Sequence, residues 1–375
     1  MLYYLSQYLV RYWGPFRLLQ SHALLLAGGT VAAALLVWLL LPRLWKLLPK
    51  DHGKAILKDM GGMQSQGKPT GTGLVVTLVA LPVILVFAPL AFWDLMAVFA
   101  MYAAMLFGYL DDRSAVPWGE LRKGLLDAVV SGAIALFIFL GHSDVVNGSH
   151  VMVAWLPFVK GAAVMNDVGV WLIPGWVYIP LASAILWFTM NATNCSDGVD
   201  GLAGTLTVIT LAMLAVILYI VVGYRPVAHY FLIPVYSEAA RWAIVVMIAA
   251  GAFGGYLWYN AEPSKVLMGD AGSRFLGILV ATASLMTGNP LLVLFLSPIV
   301  LVNGGGGLAK LVLLRVAKRL GFQIGDDSVI RKVRFPLHDH CKKNLGWSNA
   351  QVLMRFVLLQ LALVPILLVI LIKVR

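Results

Sequence analysis

Charge is what this 375-residue chain has least of: only 12% of its residues are Asp, Glu, Lys or Arg, against 61% hydrophobic. With a mean hydropathy of +0.87, that balance excludes an ordinary soluble globular protein. Cysteine is scarcer still. Cys195 and Cys341 are the two present, and no disulfide framework can be built on them. The run His338-Asp339-His340-Cys341 lacks the spacing of a structural zinc site, because adjacent residues cannot easily wrap one tetrahedral ion. There is no internal repeat, which disfavours a secondary transporter. Residues 1–22 lack a small-residue cleavage site and mix Arg11, Pro15, Arg17 and Gln20 into an apolar stretch, so they do not read as a signal peptide. Tyr3, Tyr4, Tyr8, Tyr12 and Trp13 predict instead a helix lying at a membrane interface.

What the chain does have is about ten apolar stretches of roughly the 17–25 residues needed to cross a hydrocarbon core. They cover 23–43, 73–91, 93–110, 125–141, 172–190, 202–222, 241–258, 274–287, 290–314 and 353–372. Segments of that length predict helices, because a barrel would show alternating segments of about ten residues. The expected fold is an all-α integral membrane protein, with 1–375 forming one polytopic domain. The run Gly304 to Gly307 is expected to weaken or bend the ninth span.

The formal net charge is +11. No aromatic-basic patch or reading motif accompanies it, so nucleic acid is not the expected partner. Lys46, Lys50, Lys54, Lys58 and Lys68 fill the first loop. Arg315, Lys318, Arg319, Arg331, Lys332, Arg334, Lys342 and Lys343 fill the last large one, whereas 142–171 carries only Lys160. Arg11, Arg17, Lys373 and Arg375 fall on the second face and weaken the bias without reversing it. By the positive-inside rule the basic loops are cytoplasmic. Counting spans places loops 44–72, 111–124, 191–201, 259–273 and 315–350 on that one face, and every polar motif lies in them.

Asp111-Asp112 closes the third span, where two carboxylates oppose the helix dipole and need a cation or Arg113, Arg122 or Lys123 to offset them. In NATNCSDGVDG, Asn191, Asn194, Asp197 and Asp200 recur at every third residue, which keeps neighbours on one face of a helix or turn. Such amide and carboxylate oxygens suit Mg²⁺. Asn260, Glu262, Lys265, Asp270 and Ser273 surround a glycine-rich turn able to aim backbone N–H groups at an anion. His338 and His340 are expected to bind phosphate, position substrate or act as acid/base groups. Together these loops predict one divalent-metal and phosphate site at a membrane surface.

Over nearly the whole chain these residues resemble the polyprenyl-phosphate N-acetylhexosamine-1-phosphate transferases. The resemblance is carried by GKPTG at 67–71, GYLDD, NATNCSDGVDGLAG, KVLMGDAGS and PLHDHCKKNLGWSNAQVLMRF. The last stretch favours the phospho-N-acetylmuramoyl-pentapeptide branch over sister enzymes that use UDP-GlcNAc or related sugars. The resemblance implies ten helices around a cytoplasmic-face cleft in the bacterial inner membrane, Mg²⁺, and a homodimer. It also implies transfer of phospho-MurNAc-pentapeptide from UDP-MurNAc-pentapeptide to undecaprenyl phosphate, releasing UMP.

By the same resemblance Asp111, Asp112, Asp197 and Asp270 form the catalytic acidic core. Asp270 and Asp197 are the metal ligands, and Asp111 is nearest the lipid phosphate. Lys68, Thr70, Lys123, Asn191, Asn194, Asp200, Asn260, Ser273, His338 and His340 bind substrate. Asp339 stands where the family has a middle histidine, and is expected to orient His338, His340 or a basic neighbour such as Arg334. Leu267 stands where an aromatic would face uracil. Direct attack and a two-step path through an aspartyl intermediate both fit these residues. A transporter is the rival of a different class, but it calls for ionisable residues near midspan rather than at helix ends.

Overall fold

Every apolar stretch marked above is mainly helical in the computed structural model of the chain, which describes all residues except 52–65, 115, 117, 157–160, 162, 166–167, 323–327, 329–331 and 374–375. Lys54, Lys58, Lys160, Arg331 and Arg375 lie outside the described residues. A short helix α1 (Leu2–Leu9) and a 3₁₀ turn (Gly14–Gln20) precede α2 (His22–Leu44). Then come α3 (Thr72–Phe87), α4 (Phe92–Arg113) and α5 (Glu120–His142). After a sheet follow α6 (Gly175–Cys195), α7 (Leu202–Val216, extended by a π-turn over Ile217–Val221), α8 (Arg225–Tyr230), α9 (Ala239–Asn260) and α10 (Gly269–Leu285). The chain ends with α11 (Leu292–Leu296), α12 (Pro298–Val300), α13 (Gly306–Arg319), α14 (Leu337–Leu345) and α15 (Asn349–Lys373).

Seven segments among the described residues are long and apolar enough to cross a membrane: His22–Leu47, Phe92–Arg113, Glu120–His142, Leu202–Val221, Ala239–Asn260, Pro298–Arg319 and Asn349–Leu371. Shorter α3 and the more polar α6 and α10 occupy the other expected spans. α10 is the axis of the bundle. Every residue from Ala271 to Leu285 is buried, the charged Arg274 among otherwise apolar or small side chains. α15 has the opposite character, exposing Leu358, Leu361, Ile366 and Val369 along a lipid-facing side.

The ninth expected span is broken. Pro298 starts a new turn, and Leu301–Gly305 is a π-helix, so the glycine run does distort the helix as its composition predicts. Packing gives the reason for glycine: a Cβ on Gly304 would stand 1.9 Å from the Ala192 carbonyl oxygen at the end of α6.

The 142–171 connection departs from the helical pattern. It forms an antiparallel sheet of order β1-β2-β4-β3, with β1 Asp144–Val146, β2 Ser149–Ala154, β3 Ala163–Met165 and β4 Val168–Pro174. Asn147 and Gly148 both have positive φ, as a two-residue hairpin turn requires. The expected fifth span therefore begins three residues late, at Gly175 rather than 172, because 172–174 belong to β4. The sheet follows the C-terminus of α5, so it lies at the opposite end of the bundle from Lys123 in that helix's first turn.

At the Lys123 end, α3 follows Gly71, α7 follows Gly201, and α10 begins at Gly269, with φ of 71°, 75° and 73°. Only glycine adopts that left-handed backbone without strain. The N-termini of these helices thus meet the C-termini of α4, α6 and α9, which carry the acidic and amide residues.

Candidate active site

Asp111 and Asp112 leave the end of α4 in different directions and are offset by different partners. Asp111 Oδ1 accepts the Trp118 backbone N–H at 2.8 Å, while Oδ2 forms a short ion pair with Lys123 Nζ. Lys123 Nζ also lies 4.0 Å from Asp270 Oδ2. Asp112 turns to the N-terminus of α10 and accepts from the backbone N–H groups of Asp270 and Ala271. Its Oδ2 packs beside Gly269, and is buried without a hydrogen-bond partner. Arg122, one of the expected offsetting cations, instead sits 3.9 Å over the Trp118 ring. The three carboxylates differ in access: the Asp111 side chain is 6% exposed and that of Asp270 26%.

The other predicted residues gather round this centre. Ser273, one turn into α10, donates to Asn194 Oδ1 at 2.8 Å and ties the 191–201 loop to Asp270's helix. Asp200 Oδ2 lies 3.7 Å from Lys68 Nζ and accepts the Ser264 N–H at 3.1 Å, while Lys68 donates to Ser264 Oγ. Leu267 pairs by its backbone with Pro69 and Thr72, which lays the 67–71 motif alongside the Asp270 turn. Thr70 takes part through its N–H, donated to the Pro49 oxygen at 2.9 Å. Asn191 points back to Trp187 and lies beside Asp127. Asn260 is 4% exposed and spends its amide inside the protein: Oδ1 accepts from Gly201 N–H and Nδ2 donates to Val266 O, each at 2.8 Å. Its place is that of a clasp between two site loops rather than of an open contact.

His338 joins the same assembly from α14. Asn303 Oδ1, in the π-turn, takes both the His338 backbone N–H at 2.8 Å and an Nδ1 contact at 3.1 Å. With Nδ1–H donating there, Nε2 carries the lone pair and points at Gly198, between Asp197 and Asp200. Burial pushes the imidazole pKa down to about 4, against a partial upward pull from Asp339, whose Oδ1 is 3.5 Å from Nε2. His338 is therefore neutral at pH 7. His340 is less enclosed, and its Nδ1 accepts the Arg334 backbone N–H at 3.3 Å.

A profile of glycosyl transferase family 4 matches residues 94–288. Over 372 residues the chain is 42% identical to the phospho-N-acetylmuramoyl-pentapeptide-transferase of Treponema pallidum strain Nichols, covering 98% of this chain and 95% of that protein. The chain belongs to glycosyl transferase family 4, in its phospho-N-acetylmuramoyl-pentapeptide-transferase branch. It is also 28% identical to the transferase of that name from Borreliella afzelii strain PKo, over 91% of this chain and 93% of the relative. For the one from Gemmatimonas aurantiaca the identity is 27%, over 95% of each.

The matched family 4 region holds Asp111, Asp112, Lys123, Asp197 and Asp270, while Lys68 and His338 lie in the parts that only the full-length relatives cover. Within that region the structure adds a charged pair that sequence reasoning missed. Arg274 Nη1 meets Asp127 Oδ1 at 2.5 Å, and Arg274 Nη2 lies 3.5 Å from Asp270 Oδ2. Charges inside apolar spans were the available signal. Asp127 is four residues after Lys123, and Arg274 four after Asp270. At the sheet end, buried Asp94 similarly accepts from His142 at 2.7 Å and Trp242 Nε1 at 2.9 Å.

Proposed function

We propose that the chain transfers phospho-MurNAc-pentapeptide from UDP-MurNAc-pentapeptide to undecaprenyl phosphate, releasing UMP, at the cytoplasmic face of the bacterial inner membrane. The relatives' shared activity supports the reaction. The observation that carries the site is Lys123, bridging Asp111 on α4 and Asp270 on α10 where three helix ends meet. The cytoplasmic placement rests on Lys46, Lys50 and Lys68 in the connection after α2, and on Lys318 and Arg319 in the last turn of α13. A homodimer belongs to this reading through the family resemblance.

Magnesium fits the residues present. Among the described residues no three His, Cys, Asp or Glu side chains could hold a metal alone. Mg²⁺ needs no such cage, since one or two carboxylates suffice when waters and substrate phosphates complete the shell. Asp270 is more open than Asp111, and Asp197 is the expected second ligand from the adjoining turn. The Oδ2 of Asp112, buried beside Gly269 without a hydrogen-bond partner, leaves a further oxygen acceptor next to them. Bound there, the ion would neutralise the diphosphate and the departing UMP.

The remaining steps fall to the chain's own groups. A lipid phosphate with a second pKa of about 6 is largely a dianion at neutral pH, so its attack needs no strong general base. One of its oxygens bonds to the β-phosphorus of the nucleotide, and the bond from that phosphorus to the UMP oxygen breaks. Asp111 is held by Trp118 N–H and by Lys123, the setting of an electrostatic partner rather than a free nucleophile, which favours direct transfer. Lys123 is 26% exposed and able to turn from Asp270 to a phosphate oxygen. Positioning of this kind does most of the work in phosphoryl transfer.

The test is UMP release by purified protein with Mg²⁺, undecaprenyl phosphate and either UDP-MurNAc-pentapeptide or UDP-GlcNAc. Release with the pentapeptide donor alone is expected. Release with UDP-GlcNAc alone would assign the chain to the sister activity.

A further inference from the structure

Asp270 Oδ2 faces two cations with very different freedom. Lys123 is 26% exposed and can leave. Arg274 cannot: its side chain is 3% exposed, that of Asp127 is 1% exposed, and the two meet at 2.5 Å on facing helices α10 and α5. A buried guanidinium held this way has no route to water, and neither partner can be removed alone without stranding the other's charge. Nη1 is hydrogen-bonded to Asp127, which sets the planar fork so that Nη2 stands 3.5 Å from Asp270 Oδ2 as a fixed charge beside the second carboxylate.

We propose that Arg274, clamped by Asp127, is a positioning residue for Asp270, its fixed charge drawing one oxygen of that carboxylate and leaving the other for the divalent cation. The proposal rests on Asp270 being a metal ligand in the reading above. Arg274 has two opposed effects. Its fixed charge, 3.5 Å from the ligand oxygen, repels an incoming cation and weakens metal binding. Its clamped position also biases the carboxylate towards one orientation, which speeds turnover once metal and diphosphate are bound. A purely structural ion pair would show neither effect on the metal.

The test uses full-length protein in nanodiscs, with Mn²⁺ binding followed by electron paramagnetic resonance in the absence of substrate, and UMP release at saturating Mg²⁺. The paired variant Asp127→Asn/Arg274→Gln removes both charges together and keeps an amide-to-amide hydrogen bond. It is expected to bind Mn²⁺ about fivefold more tightly while kcat falls about tenfold. Arg274→Lys keeps the charge but loses the fork, so Mn²⁺ affinity should stay within about twofold of the parent while kcat still falls. Unchanged Mn²⁺ affinity in the paired variant overturns the proposal, whatever turnover does. If the paired variant is not recovered folded, Arg274→Lys decides. Lost turnover at an unchanged melting temperature supports the proposal, and parental turnover overturns it. Asp270→Asn serves as control. It should lose Mn²⁺ binding; that loss beside a parent protein that itself releases no UMP would sink the transferase reading and leave the role of Arg274 at the metal standing.

Discussion

Gly198 and the His338 imidazole are packed so closely that a Cβ on Gly198 would lie 2.2 Å from Nε2 and 2.8 Å from Cε1. The ring cannot swing aside, because Asn303 Oδ1 holds it at both the backbone N–H and Nδ1. Through this contact the histidine helix reaches the Asp197–Asp200 turn. Gly198→Ala should therefore displace His338, costing about 1–3 kcal/mol of stability and about tenfold or more in kcat/KM. Adding His338→Ala should restore the melting temperature but not activity. Parental turnover in Gly198→Ala would show that the contact is not used.

His338 also makes stability depend on pH. Its imidazole titrates near 6.5 when unfolded and near 4 in the folded protein, because burial penalises the cation. Between those values the unfolded chain binds more protons, so stability rises with pH across the window and is lost as pH falls from 6.5 towards 4. The full effect is at most about 3 kcal/mol. Thermal unfolding in detergent should show a steeper loss from about pH 6.5 to about 4.5 in the parent than in His338→Asn. Parallel curves would mean that the ring is hydrated.

Asp270→Asn should abolish turnover and weaken the dependence on Mg²⁺, since a hard cation loses its charged ligand. Asp197→Asn should be severe as well. The measurement is UMP release across a Mg²⁺ titration. Near-parental activity of Asp270→Asn at low Mg²⁺ would reject the metal assignment.

Membrane sidedness gives an independent check. Ser114 at the end of α4 and Ser348 between α14 and α15 border the same site, so cysteines placed at both should label from the cytoplasm in intact cells. The termini should lie on the other side. Labelling of the two positions from opposite faces would refute a single site.

The helices were legible because long apolar runs have few alternatives in a membrane, where backbone groups must pair within the segment. The site loops were legible because polar residues are costly there, and their clustering at helix ends stands out. The sheet was written less plainly. Its signal was the Asn147-Gly148 dipeptide between short strands, a brief cue against a background of longer apolar segments. Asp127 and Arg274 each read as a lone charge in a span, and only the packing of α5 on α10 pairs them. Asn260 was expected to bind substrate; its place as a clasp was not legible, since its partners Gly201 and Val266 are set by loop geometry.

Asp339 and His340 are neighbours with unequal expected weight. Asp339 Oδ1 is 3.5 Å from His338 Nε2, beyond a good hydrogen bond, and at neutral pH a carboxylate can only accept from donors and repel phosphate. His340 is anchored on one side by the Arg334 N–H, which leaves its other ring nitrogen to donate towards a phosphate or sugar oxygen. Asp339→His removes a weak contact and supplies a donor, so kcat/KM for UDP-MurNAc-pentapeptide should change by no more than about threefold. His340→Ala removes that ring donor, and should cost about tenfold to a hundredfold. Both variants should fold, because the Asp339 and His340 side chains are only partly buried. A dead Asp339→His beside an active His340→Ala would reverse the assignment, making the carboxylate the essential group of the loop.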